Sequence, residues 1–152
     1  MEFILAAKSD FVQINTIAKE IHGQHIGYDP KFFKSVEFPI SKEYFYELIS
    51  SNQISVCKIN NKIVSYMIYK MFERKYPGVF DRKIFLIEQL AVKAEFQKRG
   101  IGMKFMEFAI DKAKAEKCTD IDLTVHPENK NALDFYEKLG MKIQNIKYNI
   151  KI

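Results

Sequence analysis

The most constraining stretch of this chain runs from residue 84 to residue 102. Ile84, Phe85, Leu86, Ile87, Leu90, Ala91 and Val92 make a nearly continuous apolar run broken only by Glu88 and Gln89, and glycines follow at positions 100 and 102. Beyond them Ile101, Phe105, Ala109 and Ala113 recur at intervals of four, which is one face of a helix. A strand this apolar has to be covered on both faces, so the stretch predicts a central strand, a turn and a packed helix inside an α/β domain.

The flanking sequence supplies the other layers. Residues 3–7 read as a first strand. Ser9 or Asp10 can cap a helix whose face is Phe11, Ile14, Ile17, Ala18 and Ile21, ending near Gly23. Residues 24–40, with Gly27, Pro30 and Pro39, read as irregular, and Ser41 opens a second helix through Ile49. Residues 54–59 and 63–72 are strands joined at Asn60-Asn61, a pair suited to a tight hairpin turn. A loop is expected over residues 73–83, then the central strand over 84–92 and a helix from Gly100 or Ile101 to about Lys117. Strand 121–125, helix 129–139 and a last strand over 142–152 complete the order β-α-α-β-β-β-α-β-α-β. At 152 residues, with no linker, low-complexity tract or internal repeat, residues 1–152 are expected to form one domain.

Several classes are excluded. No apolar run approaches the roughly 20 residues that span a bilayer, and the apolar start of the chain is too short and too acidic for a secretory signal. Cys57 and Cys118 stand 61 positions apart, which suits neither a metal-binding pair nor a disulfide scaffold, so reduced thiols and a cytoplasmic location are expected. The net charge of +5 favours an anionic partner, but no block of five Lys or Arg points to nucleic acid. A phosphorylated small molecule fits equally well.

Chemistry concentrates in two segments. In Gln97-Lys98-Arg99-Gly100-Ile101-Gly102 a glycine-bearing turn leads into a helix whose first N–H groups have no internal partner and whose dipole is positive at that end. Lys93, Lys98, Arg99 and Lys104 add positive charge, and a pyrophosphate is the natural occupant. Taken alone, the string also reads as a glycine-rich helix entry with solvated basic residues. It is neither a Walker A loop nor a complete dinucleotide fingerprint. The second segment runs from Asn129 to Met141. Asn129, Ala132 and Tyr136 share one helix face, while Leu133, Phe135 and Leu139 can pack inward.

Together the two segments resemble the GNAT family of acyl-CoA-dependent N-acetyltransferases. Arg/Gln-x-x-Gly-x-Gly/Ala and Asn-x-x-Ala-x-x-aromatic-Tyr-x-x-x-Gly occur in family order and spacing, with Met141 where a Phe is usual. The resemblance implies a mixed, mostly antiparallel sheet flanked by helices and acetyl-CoA (coenzyme A) as cosubstrate. The pyrophosphate would lie on Gln97, Lys98, Arg99, Gly100, Ile101 and Gly102, the pantetheine arm along Leu90, Ala91 and Val92, and the thiol end beside Asn129, Ala132 and Tyr136.

The implied reaction is direct attack of a primary amine on the acetyl thioester. Tyr136, a phenol of ordinary pKa about 10, can donate a proton to the departing sulfur, and a base is needed because an alkylammonium has a pKa near 10.4. Glu88 is the candidate, as the one acid in the apolar strand; strand alternation places it with Leu86 and Leu90 unless a bulge intervenes, and partial burial would raise its pKa. A structural ion pair is the alternative role for Glu88, and His126, His22 and His25 are the other bases considered. The acceptor, a small-molecule or protein amine, would meet aromatic and acidic residues among Tyr28, Asp29, Phe32, Phe33, Glu37, Glu73, Tyr76 and Asp81. A non-catalytic acyl-CoA-binding sensor is the alternative function. Ile146, Tyr148, Ile150 and Ile152 could form the apolar face of a homodimer contact.

Overall fold

A computed structural model describes residues 1–152. Five strands form one sheet in the order β1-β2-β3-β4-β5: β1 Glu2–Leu5, β2 Ile54–Ile59, β3 Lys62–Arg74, β4 Arg82–Val92 and β5 Asp120–Leu123. All neighbours are antiparallel except β4 and β5. The mixed, mostly antiparallel sheet is therefore the architecture expected. The hairpin between β2 and β3 turns at Asn60 and Asn61, whose φ of 49° and 61° place both in the left-handed region that such a two-residue turn requires.

Helices cover both faces. On one face α1 (Phe11–Tyr28) and α2 (Lys42–Ser50) bury Ile14, Ile17, Phe45 and Leu48 against Ile54, Val56, Tyr66 and Ile68 of the sheet. On the other, α3 (Ile101–Ala115) lays Ile101, Phe105, Met106, Ala109 and Ala113 on Val64, Met67, Phe85 and Ile87, with Phe135, Tyr136 and Leu139 of α4 (Lys130–Lys138) at its border. The four-residue spacing of the α3 side chains is what makes a single helix face out of them.

Four boundaries differ from the sequence reading. The first helix does not stop near Gly23; it continues to Tyr28 and ends at Asp29, before Pro30. An interior glycine costs a helix only about 1 kcal/mol, whereas a proline disfavours helical geometry in the residue before it. Asp10 is not an ordinary cap: its carboxylate accepts from the Ala7 N–H at 2.9 Å and from Lys58 at 3.1 Å, bracing a short 3-10 turn that leads into α1. Strands β3 and β4 extend into the expected loop, pairing as far as Arg74 with Arg82. Most consequentially, residues 142–152 are not a strand. They make no backbone hydrogen bond, and Ile146, Tyr148, Ile150 and Ile152 are exposed. Alternation marks a segment able to become a strand, but a strand also needs a partner edge.

One buried polar residue fixes the segment between the first two helices. Asn15, on the apolar face of α1, donates to the Ile40 carbonyl at 3.1 Å and accepts from the Ile40 N–H at 3.0 Å. Both Asn15 and Ile40 are buried. Replacing Asn15 by alanine leaves two buried backbone groups unpaired, at about 1–3 kcal/mol each when water cannot reach them. The Asn15→Ala protein should lose about 2–4 kcal/mol of stability in urea unfolding; a loss under about 0.5 kcal/mol would show the contact to be incidental.

Candidate active site

The site begins with an irregularity in β4. Ile68 of β3 faces Gln89 but the next residue, Tyr69, faces Ile87, so Glu88 is an extra residue in a β-bulge. Parity therefore changes at Glu88. Phe85 and Ile87 pack in the α3-side core, and beyond the bulge Leu90 and Val92 border that same core while Ala91 joins the α1 side. The expected grouping of Leu86, Glu88 and Leu90 on one face does not hold, because the bulge shifts the alternation by one.

At the same level β4 and β5 part. Their parallel pairing ends at Ile87 with Leu123, although β4 stays paired with β3 as far as Val92. From Glu88 onward the β5-facing edge of β4 is thus free of its neighbour, and a cavity of about 140 Å³ opens there. Glu88, Leu90, Ala91, Asn129, Ala132 and Tyr136, six of the residues singled out from sequence, line it. Val92 and residues 97–102 lie outside it, beyond the end of β4.

The loop after β4 is built to present N–H groups. Gln97 donates its side-chain amide to the Val92 carbonyl at 3.0 Å, and Glu20 of α1 accepts from the Ala94 N–H at 2.8 Å. From Lys98 to Met103 no backbone N–H donates within the chain; the first bond of α3 runs from Lys104 to Gly100. Six consecutive free donors at a helix start have the chemistry that suits an anion. Gly100 has φ 78° and a Cβ there would meet nothing, so the backbone conformation, not lack of room, calls for glycine. Gly102 serves packing: a Cβ would stand 3.4 Å from the Phe135 ring of α4. The Ile101 side chain is buried in the core, leaving only its N–H for a ligand. Lys93 is paired with Glu95 at 2.6 Å, whereas Lys98, Arg99 and Lys104 have no acidic partner.

At the other end, Asn129 caps α4 by accepting from the Ala132 N–H at 3.1 Å. Tyr136, two turns further along α4, has its pKa pushed up to about 12 by burial, and its hydroxyl makes no hydrogen bond within the chain. Glu88 accepts from Tyr44 of α2 at 2.9 Å and pairs with Lys70 of β3. Burial alone would raise its pKa, as expected from sequence, but the hydrogen bonds from Lys70 and Tyr44 and the Lys70 charge outweigh it and hold the carboxyl below its ordinary value. Burial, reinforced by the Glu88 hydrogen bond, pushes Tyr44 up to about 12.

Sequence reasoning missed Gln24, Tyr66 and Gln89, which also line the cavity; Tyr66 donates to Gln89 at 2.9 Å. Two adjacent polar residues inside an apolar strand were the available signal, since alternation cannot place both on one side without a bulge. Of the acceptor-side residues, Tyr28 reaches the cavity rim by stacking on His126, ring centres 5.5 Å apart, and Phe33 packs on His25. Glu73 and Asp81 do not: they sit with Lys75 and Arg82 at the far end of the β3–β4 hairpin. The ladder that runs from Tyr69–Ile87 to Arg74–Arg82 carries that hairpin away from the cavity. No cluster of three potential metal ligands occurs, and no helix is long and apolar enough to cross a membrane.

The Glu88 pair has a measurable sign. A carboxyl with a lowered folded pKa stabilises the protein above its unfolded pKa and loses that contribution as pH falls through the folded value. Lys70→Met should raise the Glu88 pKa, followed through its side-chain carboxyl carbon by NMR. An unmoved titration would show that the pair does not persist in solution.

A family model for the acetyltransferase (GNAT) family matches residues 17–141. An uncharacterized N-acetyltransferase of Methanocaldococcus jannaschii is 27% identical over 122 residues, 79% of this chain and 52% of the relative. Thialysine N-epsilon-acetyltransferase of Bos taurus is 33% identical over 78 residues, 51% of this chain and 44% of the relative. The chain thus spans about half the length of these curated relatives. Among solved structures, a mutant Bacillus halodurans protein superposes with a TM-score of 0.95 at 24% identity, covering 100% of this chain and 99% of that one. An aminoglycoside acetyltransferase from an uncultured soil sample, in complex with trehalose, gives 0.72 at 20% identity over 99% and 95%. With the bulged strand, the parted strands and the N–H cradle in place, the family match over 17–141 places this chain in the GNAT acetyltransferase family.

Proposed function

We propose that this chain is an acetyl-CoA-dependent N-acetyltransferase that moves an acetyl group to a primary amine by direct attack. The observation that carries the reading is the continuity of three features along one line. These are the free N–H groups from Lys98 to Met103, the unpaired edge of β4 from Glu88 to Val92, and the cavity holding the unengaged Tyr136 hydroxyl. The cradle suits a pyrophosphate, the free strand edge suits the amides of a pantetheine arm, and the cavity suits a thioester. The residues present therefore fit acetyl-CoA, which supplies the activated acetyl group. Relatives named for transfer to α- and ε-amino nitrogens favour an amine acceptor.

In this reading Lys98, Arg99 and the cradle N–H groups hold the pyrophosphate, Gln97 braces the loop, and Leu90, Ala91 and Val92 pair through their backbone. Ala132 leaves room beside the thioester, and Asn129 orients α4. Tyr136 is protonated at neutral pH. Complete proton transfer from a phenol near 12 to a thiolate of ordinary pKa about 8.5 is uphill by about 5 kcal/mol, so Tyr136 acts mainly by donating a hydrogen bond as charge grows on sulfur. Glu88 stays charged and draws the cationic amine toward the thioester. As a proton acceptor from an alkylammonium it is handicapped by about 6 pKa units, about 8 kcal/mol, even at its ordinary value.

A coenzyme A-binding sensor is distinguished by a single assay. Thiol release from acetyl-CoA should depend on an added primary amine, and Tyr136→Phe should lower kcat roughly 10²-fold while acetyl-CoA still protects the fold against heat. Heat protection without thiol release for every amine in a broad panel would make the protein a sensor. Full turnover by Tyr136→Phe, with chemistry rate-limiting, would remove the tyrosine from the reaction.

A further inference from the structure

We propose that His25 is the base that removes the proton from the acceptor's ammonium group, an assignment that rests on the acetyltransferase reading above. The chain has three histidines; His25 and His126 line the cavity and His22 stands beside His25. Their surroundings sort them. His22 places Nε2 at 2.7 Å from the Lys34 carbonyl; a carbonyl only accepts, so that nitrogen carries a proton and is engaged. His126 accepts the Glu128 N–H on Nδ1 at 3.2 Å, so that nitrogen too is engaged. His25 lines the cavity together with Glu88 and Tyr136, and neither of its ring nitrogens makes a hydrogen bond within the chain. One nitrogen of neutral His25 is therefore an open acceptor on a residue of the cavity wall.

The packing around His25 keeps it neutral. Phe33 lies at 5.2 Å and Tyr28 at 6.3 Å between ring centres. The titratable and charged groups around it are His22 and Tyr28 on α1, and Asp29, whose N–H bonds the His25 carbonyl. To these are added His126 after β5, Glu88 on β4 with its partner Lys70 on β3, Tyr66 on β3 and Tyr136 on α4. Burial, then His22, then His126 lower the His25 pKa below the usual 6.5. An imidazole below 6.5 is unprotonated at neutral pH and free to accept, although taking the proton of an alkylammonium is uphill by at least about 4 pKa units, about 5 kcal/mol.

The proton account closes. His25 takes one proton from the ammonium nitrogen, freeing the lone pair that forms the bond to the acetyl carbon. The carbon–sulfur bond breaks and its electron pair leaves with sulfur. The second proton lost by nitrogen as the amide forms goes to the departing sulfur, whose growing charge the Tyr136 hydroxyl meets with a hydrogen bond, and His25 returns its proton to solvent. The net change is one amide, one thiol and one released proton.

The first arm of the test is thiol release by the wild type across primary amines. Absence of release with every amine overturns the acetyltransferase reading and the inference with it. With an active amine, single-turnover rates should show an acidic limb below pH 6.5. His25→Gln should abolish that limb, lower the rate at pH 7 at least tenfold, converge on wild type as pH nears the amine's own pKa, and keep acetyl-CoA affinity in calorimetry. His22→Gln and His126→Gln should each move the limb to higher pH, because each removes a neighbour that lowers the His25 pKa. Glu88→Gln should keep the limb even where the rate falls. A wild-type profile in His25→Gln overturns the assignment and leaves the acetyltransferase reading standing. Should His25→Gln fail to fold, imidazole NMR of the wild type decides: the His25 titration, assigned with the two other variants, must coincide with the limb, and a mismatch overturns the assignment.

Discussion

One extra residue in β4 organises this molecule. Because Glu88 has no counterpart on β3, the strand bends and changes parity there, and its parallel pairing with β5 stops at the residue before it. A regular strand would have carried the ladder on to Val92 and closed the space that now lies between β4, β5 and α4. The bulge also brings Glu88 and Gln89 together on the α1–α2 side, where Tyr44 and Lys70 hold the first and Tyr66 the second. Cavity, free strand edge and polar lining share this single geometric origin.

Opposite charges stand at the two ends of the resulting passage. Beyond Val92, six free N–H groups with Lys98, Arg99 and Lys104 make the α3 end positive, while Glu88 keeps a negative charge at the cavity. A ligand with an anionic group at one end and a cation beside the other is oriented by that field before it makes a specific contact. Because Lys70 and Tyr44 stabilise the carboxylate, this polarity persists across the ordinary pH range.

The architecture was legible wherever the signal was local. Four-residue spacing gave α3, Asn60-Asn61 gave the hairpin, and the alternation of apolar segments gave the layers. What was not legible depended on partners. Residues 142–152 alternate as a strand does, yet no edge meets them, and no pattern within eleven residues reports the absence of a neighbour. Gly23 looked like a helix end because glycine commonly stops helices, but an interior glycine costs only about 1 kcal/mol and α1 runs on to Tyr28, two residues before Pro30. For the site, the α4 segment named Asn129, Ala132 and Tyr136 and the strand named Glu88, Leu90 and Ala91, while the loop lies beyond the cavity. The pKa of Glu88 was misjudged in direction: its burial was foreseeable and an ion pair was one of the roles open to it, but Lys70, eighteen positions earlier, was not identified as the partner, and Lys70 with Tyr44 reverses the shift.

Burial at the cavity acts in opposite senses on its phenol and its imidazole. Burial raises the Tyr136 phenol and lowers the His25 imidazole, so each is held in its neutral form at pH 7. A neutral phenol is the form that can donate, and a neutral imidazole the form that can accept. In the proposed reaction the amine enters as a cation and leaves as a neutral amide, so an environment that disfavours charge also favours the product. That environment would exclude the incoming cation as well, were it wholly apolar. Glu88 answers this: kept ionised by partners outside the reaction space, it attracts the ammonium group without itself having to take the proton. Positioning charge and proton transfer then fall to different side chains, and each can hold the pKa its own role requires.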